Sequence, residues 1–305
     1  MDMSVNIAQV VLKNPVMTAS GTFGSGVEYS EFVDLNKLGA VVTKGVSLTP
    51  WPGNPTPRIA ETYGGMLNAI GLQNPGIDTF IERDLRFLSD FDTVIIVNVC
   101  GKTVEEYVEV VERLADTNAD MLEINVSCPN VKEGAIAFGQ DPQALAHITR
   151  EIRKKARQPV IMKLSPNVSD IALMAKVCED NGADAVSLIN TITGMKIDVK
   201  RRTFVLANKT GGLSGRAIKP VAVRMVYQAA NAVKIPVIGM GGIATAEDAL
   251  EFIMAGAAAV AVGAANFTDP YTTLKVIDGI GQYMTDNNVT DIKELIGCVW
   301  KEEFL

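Results

Sequence analysis

The fold is decided by the stretch Met121-Leu122-Glu123-Ile124-Asn125-Val126-Ser127-Cys128-Pro129-Asn130, in which an apolar run breaks into a Pro-Asn turn. Such a run is typical of a buried parallel strand, and the turn follows its carboxyl end. In a (β/α)₈ barrel, that edge of the sheet carries the chemistry. A thiol there can serve as a proton-abstracting base or a nucleophile, although a free cysteine more often packs as a small apolar side chain.

Seven further short apolar runs accompany Met121–Cys128 along the chain. They are Pro15–Ser20, Ala40–Val46, Val94–Cys100, Val160–Ser165, Ala185–Asn190, Val237–Gly241 and Val260–Ala264. Most of the runs are separated by segments of helical periodicity, which are Thr103–Thr117, Pro142–Ala156, Asp170–Asn181, Lys219–Val233 and Ala246–Ala255. Near-continuous apolar strands that alternate with amphipathic helices predict an α/β fold with a parallel sheet. Eight such units in one chain predict a TIM-type (β/α)₈ barrel.

Two connections exceed the length of ordinary loops. One runs from Ser47 to Asp92 after the second strand, and the other runs from Thr191 to Arg216 after the sixth. Long insertions of this kind usually form substrate sites or lids. Since neither a repeat nor a linker indicates a second domain, we expect one domain over residues 1–305. The alternative is a doubly wound open sheet, but Gly21–Gly26 lacks the spacing of a dinucleotide fingerprint.

The composition narrows the class of protein. The net charge of −7 argues against a nucleic-acid binder, which usually presents a basic face. The sequence shows no secretory signal, and its four scattered cysteines (Cys100, Cys128, Cys178 and Cys298) fit neither a zinc site nor an iron–sulfur cluster. We therefore expect a cytoplasmic protein with no metal and no membrane partner. From His147, the single histidine, we expect no catalytic role.

Polar side chains gather at the predicted carboxyl ends of the strands. They are Ser20, Lys44, Asn98, Asn125, Cys128, Lys163, Asn190 and Thr191. A buried lysine without a carboxylate partner is costly, and neither Lys44 nor Lys163 has an acidic neighbour within its own strand. Each lysine therefore either faces an anionic or electron-rich ligand or reaches solvent at the barrel mouth.

The last two strands end in glycine-rich turns, Gly239–Ile243 and Gly263–Asn266. In this barrel the loops after strands seven and eight usually bind phosphate, because glycine lets backbone amides approach an anion closely. The segment Thr268–Tyr271 is predicted to begin the next helix, with Pro270 in its first turn. The ligand is therefore expected to carry a phosphate. Flavin mononucleotide fits this description, and so does a sugar phosphate.

The motifs together resemble the class 1 dihydroorotate dehydrogenases, and most closely the class 1B catalytic subunit. The matching stretches, in chain order, are Asn14–Gly21, Thr43–Gly45, Asn68–Asn74, Asn125–Asn130, Lys163–Asn167, Ile189–Thr191, Gly212–Gly215 and Gly241–Ile243. They span nearly the whole chain, so the resemblance does not depend on one motif. The membrane-bound class 2 enzymes carry serine where this sequence has Cys128. They also carry an N-terminal membrane-associating extension, which we do not expect in this protein.

The resemblance implies a site for FMN and one for dihydroorotate. The implied FMN contacts are Ser20, Lys44, Gly45, Asn98, Asn125, Lys163, Ile189, Gly215, Gly241, Gly242, Gly263 and Ala264. The implied dihydroorotate contacts are Lys44, Asn68, Ala69, Ile70, Gly71, Leu72, Asn125, Asn190 and Thr191. Cys128 matches the family's base. It would take the C5 proton as dihydroorotate becomes orotate in pyrimidine (UMP) biosynthesis, while FMN takes the C6 hydride.

The electron acceptor separates the two subclasses. The stretch Asn190–Asp198 resembles class 1B, in which a partner subunit with FAD and a [2Fe-2S] cluster passes electrons to NAD, within a heterotetramer of two copies of each subunit. A class 1A enzyme would instead be a homodimer that reduces fumarate. A flavin-dependent barrel enzyme that acts on another pyrimidine is an alternative function. Another alternative is a lyase without flavin that forms a Schiff base on Lys163.

Overall fold

In a computed structural model of the chain, which describes residues 1–127 and 138–300, eight parallel strands close into a barrel. The barrel strands in chain order are β1 (Val16–Thr18), β2 (Ala40–Val42), β3 (Val94–Val99), β4 (Met121–Asn125), β5 (Val160–Lys163), β6 (Ala185–Leu188), β7 (Val237–Met240) and β8 (Ala259–Val262). Each strand pairs with its neighbours in sequence, and β8 closes onto β1 through Ala261 and Met17. The predicted α/β barrel is therefore confirmed, and each predicted run contains or overlaps one of these strands.

In the described part of the chain, six α-helices of nine or more residues follow strands β3 to β8 on the outside of the barrel. They are α1 (Val104–Leu114), α2 (Pro142–Lys155), α3 (Ile171–Asp180), α4 (Lys219–Ala232), α5 (Ala246–Met254) and α6 (Thr272–Asp286). Side-chain caps fix several starts. Asp141, for example, accepts a hydrogen bond from Ala144 N at 2.7 Å before Pro142 enters the first turn. The five predicted helices are confirmed, with ends that differ by a residue or a few.

The beginning of α6 was predicted wrongly. The segment Thr268–Tyr271 forms a turn rather than the first turn of a helix, and α6 begins at Thr272. The Asp269 carboxylate accepts a hydrogen bond from Tyr271 N at 3.0 Å, and Thr272 Oγ1 donates to Asp269 O at 2.6 Å. These local bonds satisfy the turn and delay the helix. A short 3₁₀-helix, Ala264–Phe267, stands directly after β8 instead.

The connection between β1 and β2 has no α-helix among its described residues. It holds two 3₁₀-helices, Tyr29–Glu31 and Leu35–Lys37. After β2, a helical segment runs through Ile77–Thr79, the π-helix Phe80–Leu85 and Arg86–Leu88. Two short antiparallel strand pairs also lie outside the barrel. They are Val5–Ile7 with Val10–Leu12, and Ile197–Asp198 with Thr203–Phe204.

The long insertions after β2 and β6, both predicted, combine into one antiparallel sheet. Its strands lie in the order Ile192–Met195, Thr210–Ser214, Gly65–Asn68 and Ile59–Thr62. The two insertions are joined by antiparallel pairing of Thr210–Ser214 with Gly65–Asn68, in which Gly212 pairs with Asn68 and Ser214 with Met66. A small apolar cluster that includes Leu67 and Leu206 is buried within them. This sheet stands at the carboxyl end of the barrel, where it forms one wall of a cavity.

Candidate active site

A cavity of about 250 Å³ lies at the carboxyl ends of the barrel strands. Most of the cofactor residues implied by the sequence line it, namely Ser20, Lys44, Asn125, Lys163, Ile189, Gly215, Gly241, Gly242, Gly263 and Ala264. Every implied substrate residue lines it too, namely Lys44, Asn68, Ala69, Ile70, Gly71, Leu72, Asn125, Asn190 and Thr191. Cys128 lies outside the described residues. The fold thus brings residues from the ends of seven of the eight barrel strands to one place.

Gly45 and Asn98 are not among the described residues that line the cavity. They lie against each other, since a Cβ built on Gly45 would stand 2.7 Å from Asn98 Oδ1. The Asn98 side chain is fully buried, and within the described part of the chain neither its Nδ2 nor its Oδ1 has a hydrogen-bond partner. Buried amides are rarely left unsatisfied, so this carboxamide retains an unused donor and acceptor.

Lys163 was expected to lack a carboxylate partner, and the structure shows that it has one. Its Nζ lies 3.2 Å from Glu123 Oε1, and the two side chains are only 5% and 2% exposed. Glu123 stands on the neighbouring strand β4, two residues before Asn125, which pairs with Lys163. Glu123 lies within an otherwise apolar run and on a different strand from Lys163, so the pair was not visible from the strand of the lysine alone. A carboxylate within a buried strand was the signal that could have revealed the pair.

Asn125 is fixed by hydrogen bonds from three directions. Its Oδ1 accepts from Ser127 Oγ at 2.9 Å and from Asn190 Nδ2 at 3.5 Å, and Asn190 Nδ2 also donates to Ser127 Oγ. From the outside, the buried Tyr107 of α1 donates its hydroxyl to Asn125 O at 2.7 Å. A network of this kind presents carboxamides in a fixed orientation, which suits recognition of a planar polar ring.

The segment Asn68–Leu72 is held from behind by Asn74 and Asn54. Asn74 is buried, and its Nδ2 donates to Leu72 O at 2.8 Å while its Oδ1 accepts from Gly76 N at 2.9 Å. Asn54 donates from its backbone N to Ile70 O at 2.9 Å and from Nδ2 to Ala69 O at 3.0 Å. These hydrogen bonds therefore fix the backbone of the segment where it lines the cavity.

The turn after β7 requires glycine at two consecutive positions. Gly241 and Gly242 have φ angles of +126° and +84°, and a Cβ on Gly242 would stand 2.9 Å from Gly215 O. Asp248 of α5 ties down the residues that follow, since it accepts from Ala244 N at 2.9 Å and from Lys219 Nζ at 2.6 Å. Burial alone would raise the pKa of Asp248, but these hydrogen bonds outweigh it and lower the pKa.

The other titratable groups considered from the sequence lie elsewhere. Burial raises the pKa of the Cys178 thiol to about 12, which leaves it protonated at neutral pH. Cys100 is fully buried and Cys298 is partly exposed near the end of the chain. His147 is on the exposed face of α2 and is not among the described residues that line the cavity. Within residues 1–127 and 138–300, no cluster of three His, Cys, Asp or Glu side chains could hold a metal ion.

Sequence reasoning missed several residues of the cavity wall. They are Ala19, Gly21, Thr22, Ile59, Met66, Gly212, Ser214, Ile218, Met240, Ala261 and Phe267. Gly212 and Ser214 belong to a motif already noted, but their place in the wall depends on the sheet shared by the two insertions. Of the helices described, none is long and apolar enough to cross a membrane.

Comparison with known proteins identifies the family. The family model for dihydroorotate dehydrogenase matches residues 2–284. "Dihydroorotate dehydrogenase B (NAD(+)), catalytic subunit" from Lachnoclostridium phytofermentans is 71% identical over 299 residues, which cover 98% of this chain and 100% of that protein. The protein of the same name from Alkaliphilus metalliredigens is 61% identical, with 98% and 99% covered. The chain belongs to the dihydroorotate dehydrogenase family, and the resemblance seen in its motifs is confirmed.

The fold is also that of a solved structure. A crystal structure of DHODH in complex with ferulenol from Eimeria tenella superposes with a TM-score of 0.84, covering 99% of this chain and 89% of the other. The sequence identity is 24%, so this similarity concerns the fold.

Proposed function

We propose that this chain is the catalytic subunit of an NAD-linked dihydroorotate dehydrogenase, a cytoplasmic enzyme of pyrimidine biosynthesis that oxidises dihydroorotate to orotate. One observation carries the proposal. In a chain of this family, two lysines and three carboxamide side chains (Asn68, Asn125 and Asn190) converge with glycine-rich turns on one cavity. A phosphate-bearing cofactor and a planar polar substrate are the ligands that such a set of groups fits.

The residues present fit FMN as the cofactor. The amide of Asn98, which lies behind Lys44-Gly45, has an unused donor and acceptor for a polar ring. Gly241 and Gly242 leave no side chain between their backbone amides and the cavity, as a phosphate site requires. FMN would be held by these residues with Ser20, Lys163, Gly215, Gly263 and Ala264. When bound, it supplies an acceptor for the hydride at C6 of dihydroorotate.

The substrate would be held by carboxamides and a lysine. Each of Asn68, Asn125 and Asn190 offers a donor and an acceptor, so together they can match the alternating N–H and C=O groups of a pyrimidine edge. Lys44 supplies positive charge for the carboxylate of dihydroorotate. Ile70 and Thr191 also line the cavity. These residues bind and orient the substrate.

Cys128 is proposed as the base. It follows Ser127 in the sequence, directly after the network of Asn125 and Asn190. An ordinary thiol has a pKa of about 8.5, so modest help from its surroundings suffices for it to accept a proton near neutral pH. In the proposed reaction, the C5 proton of dihydroorotate passes to Cys128 Sγ.

A partner subunit would receive the electrons. The two relatives are named as catalytic subunits, which supports a separate subunit for this chain as well. We propose that the partner carries FAD and a [2Fe-2S] cluster, passes electrons to NAD and forms a heterotetramer with two copies of each subunit. The alternatives, a fumarate-reducing homodimer of class 1A and a lyase with a Schiff base on Lys163, are not favoured by the relatives named above.

The proposal is tested by mixing the FMN-loaded chain with dihydroorotate without oxygen and following the visible flavin absorption. Bleaching is expected, because the reaction reduces the flavin even without its partner. Restoration by NAD only after addition of the partner subunit would establish the acceptor, whereas restoration by fumarate alone would indicate class 1A. A bound flavin that dihydroorotate fails to bleach would contradict the proposed substrate.

Replacing Gly212 by alanine is expected to impair substrate binding selectively. A Cβ at this position would overlap the side chain of Thr191, which must then leave the cavity wall. We expect the KM for dihydroorotate to rise about tenfold or more, with flavin content unchanged. The matched control is Gly194→Ala on the paired strand, whose Cβ would meet the flexible end of Leu67 at 3.0 Å and Leu213 Cβ at an ordinary contact distance of 3.9 Å. Equal effects from both variants would contradict this role for Thr191.

A further inference from the structure

Glu123 is a buried carboxylate for which the proposed function has no use. It stands in the middle of β4, at the level of Ile161 on β5, with 2% of its side chain exposed. Its Oε1 accepts a hydrogen bond from Ser187 Oγ of β6 at 3.4 Å and lies 3.2 Å from Lys163 Nζ. Three neighbouring strands therefore meet at this carboxylate within the barrel.

The pair of Glu123 and Lys163 is electrically neutral as a unit. Removing either charge from water costs several kcal/mol in a protein interior, and the partner's opposite charge offsets that cost. Lys163 lines the cavity, whereas Glu123 is not among the described residues that line it, so a ligand in the cavity would contact the lysine rather than the carboxylate. Negative charge that develops on the ligand must therefore share Lys163 with Glu123.

We propose that Glu123 is a positioning residue that holds Lys163 at the cavity wall and limits the positive charge this lysine presents to the flavin. The inference rests on the proposed function, because it requires a flavin in the cavity. A reduced flavin carries more negative charge than an oxidised one, and Lys163 stabilises that charge. The Glu123 carboxylate opposes this stabilisation. It therefore keeps the reduction potential of the flavin lower than Lys163 alone would set it.

The test is Glu123→Gln in the FMN-loaded chain, which retains the side chain's shape and removes its charge. We expect the two-electron reduction equilibrium to shift about tenfold toward the reduced flavin, which corresponds to a potential about 30 mV more positive. Sulfite adds to oxidised flavins and leaves negative charge on the ring, so its dissociation constant is expected to fall by about the same factor. Both quantities are measured by titration of the flavin absorption and do not require turnover.

Asp184→Asn is the matched control. Asp184 precedes β6 at the opposite end of the barrel, where it pairs with Arg153 at 2.7 Å and accepts from Val160 N at 2.8 Å. Its loss is expected to lower stability without changing the potential or the affinity for sulfite. Glu123→Asp keeps the charge but moves it away from Lys163 by the length of one methylene group. Its flavin reduction potential is therefore expected to lie between those of the parent and Glu123→Gln.

A double-mutant cycle separates this role from a merely structural one. In a Lys163→Gln background, Glu123→Gln is expected to leave the potential unchanged, because the carboxylate acts through the lysine. An unchanged potential in the single variant, with flavin bound, would overturn the inference and leave the proposed function intact. If Glu123→Gln fails to fold, the absence of a positive shift in Glu123→Asp overturns it equally. A parent chain that takes up no flavin would contradict the proposed function as well.

Discussion

Replacing Cys128 by alanine is expected to leave flavin bound and to slow its reduction by dihydroorotate by about 100- to 10,000-fold, the usual contribution of a general base. The cofactor contacts proposed above do not include this side chain, so flavin content should not change. What the variant loses is the group that accepts the C5 proton. The rate is measured by mixing enzyme and substrate rapidly without oxygen and following the flavin absorption.

The other cysteines supply the controls for this prediction. Cys178→Ala is expected to have no effect on the rate, because burial raises the pKa of that thiol to about 12 and keeps it from accepting a proton at neutral pH. Cys298→Ala tests a partly exposed thiol near the chain's end. Cys100 is the stricter comparison, since it follows β3 and a Cβ on Gly45 would lie 3.5 Å from its Sγ. Slow flavin reduction in Cys100→Ala combined with normal reduction in Cys128→Ala would show that Cys100, and not Cys128, is the base.

The barrel could be predicted from the sequence because its signals are local. A strand buried on both faces, such as β3, must be apolar along its length, and a helix such as α1 must repeat its apolar residues on one side. Eight alternations of the two patterns leave few other folds. Cavity residues at the strand ends, such as Lys44 and Asn125, followed from the same reasoning, since the carboxyl ends of parallel strands meet at one edge. Asn68–Leu72 and Gly215 were implied only by the resemblance to the family.

Contacts between distant segments were not predictable in this way. Nothing in the sequence near Gly212 indicates that its strand pairs with Gly65–Asn68 from the other insertion, because that pairing depends on the placement of both above the barrel. The beginning of α6 was misplaced for a smaller reason. Thr268–Tyr271 has the residues of a helix start, but the Asp269 carboxylate bonds within its own turn instead.

The buried ion pair of Glu123 and Lys163 is another contact between distant segments that could not be predicted from the sequence. Periodicity places Lys163 at the end of β5, but it does not identify the side chain on the next strand that faces it. The pairing of Asn125 with Lys163 puts Glu123 and Lys163 two positions apart on adjacent strands, within reach of each other across the barrel interior. Only the order and register of the strands turn two isolated charges into one neutral unit.

Replacing Lys163 by methionine is expected to destabilise the apoprotein by about 3–5 kcal/mol, because it leaves the Glu123 carboxylate buried without its partner. The remaining hydrogen bond from Ser187, at 3.4 Å, is too long to compensate for that loss. The expected decrease in Tm is about 5–8 °C, measured by circular dichroism on protein without flavin so that lost cofactor binding does not contribute.

The double variant Glu123→Gln/Lys163→Met decides whether the pair is the cause. Removing both charges removes the uncompensated carboxylate, so the double variant is expected to recover most of the stability that Lys163→Met loses. Lys155→Met is the surface control, since its pair with Glu112 is exposed at both side chains and is expected to contribute little to stability. If the double variant were as unstable as Lys163→Met, the loss would come from the packing of the lysine stem. In that case Lys163 would be held in place by its apolar contacts, and the charge of Glu123 would not be what anchors it at the cavity wall.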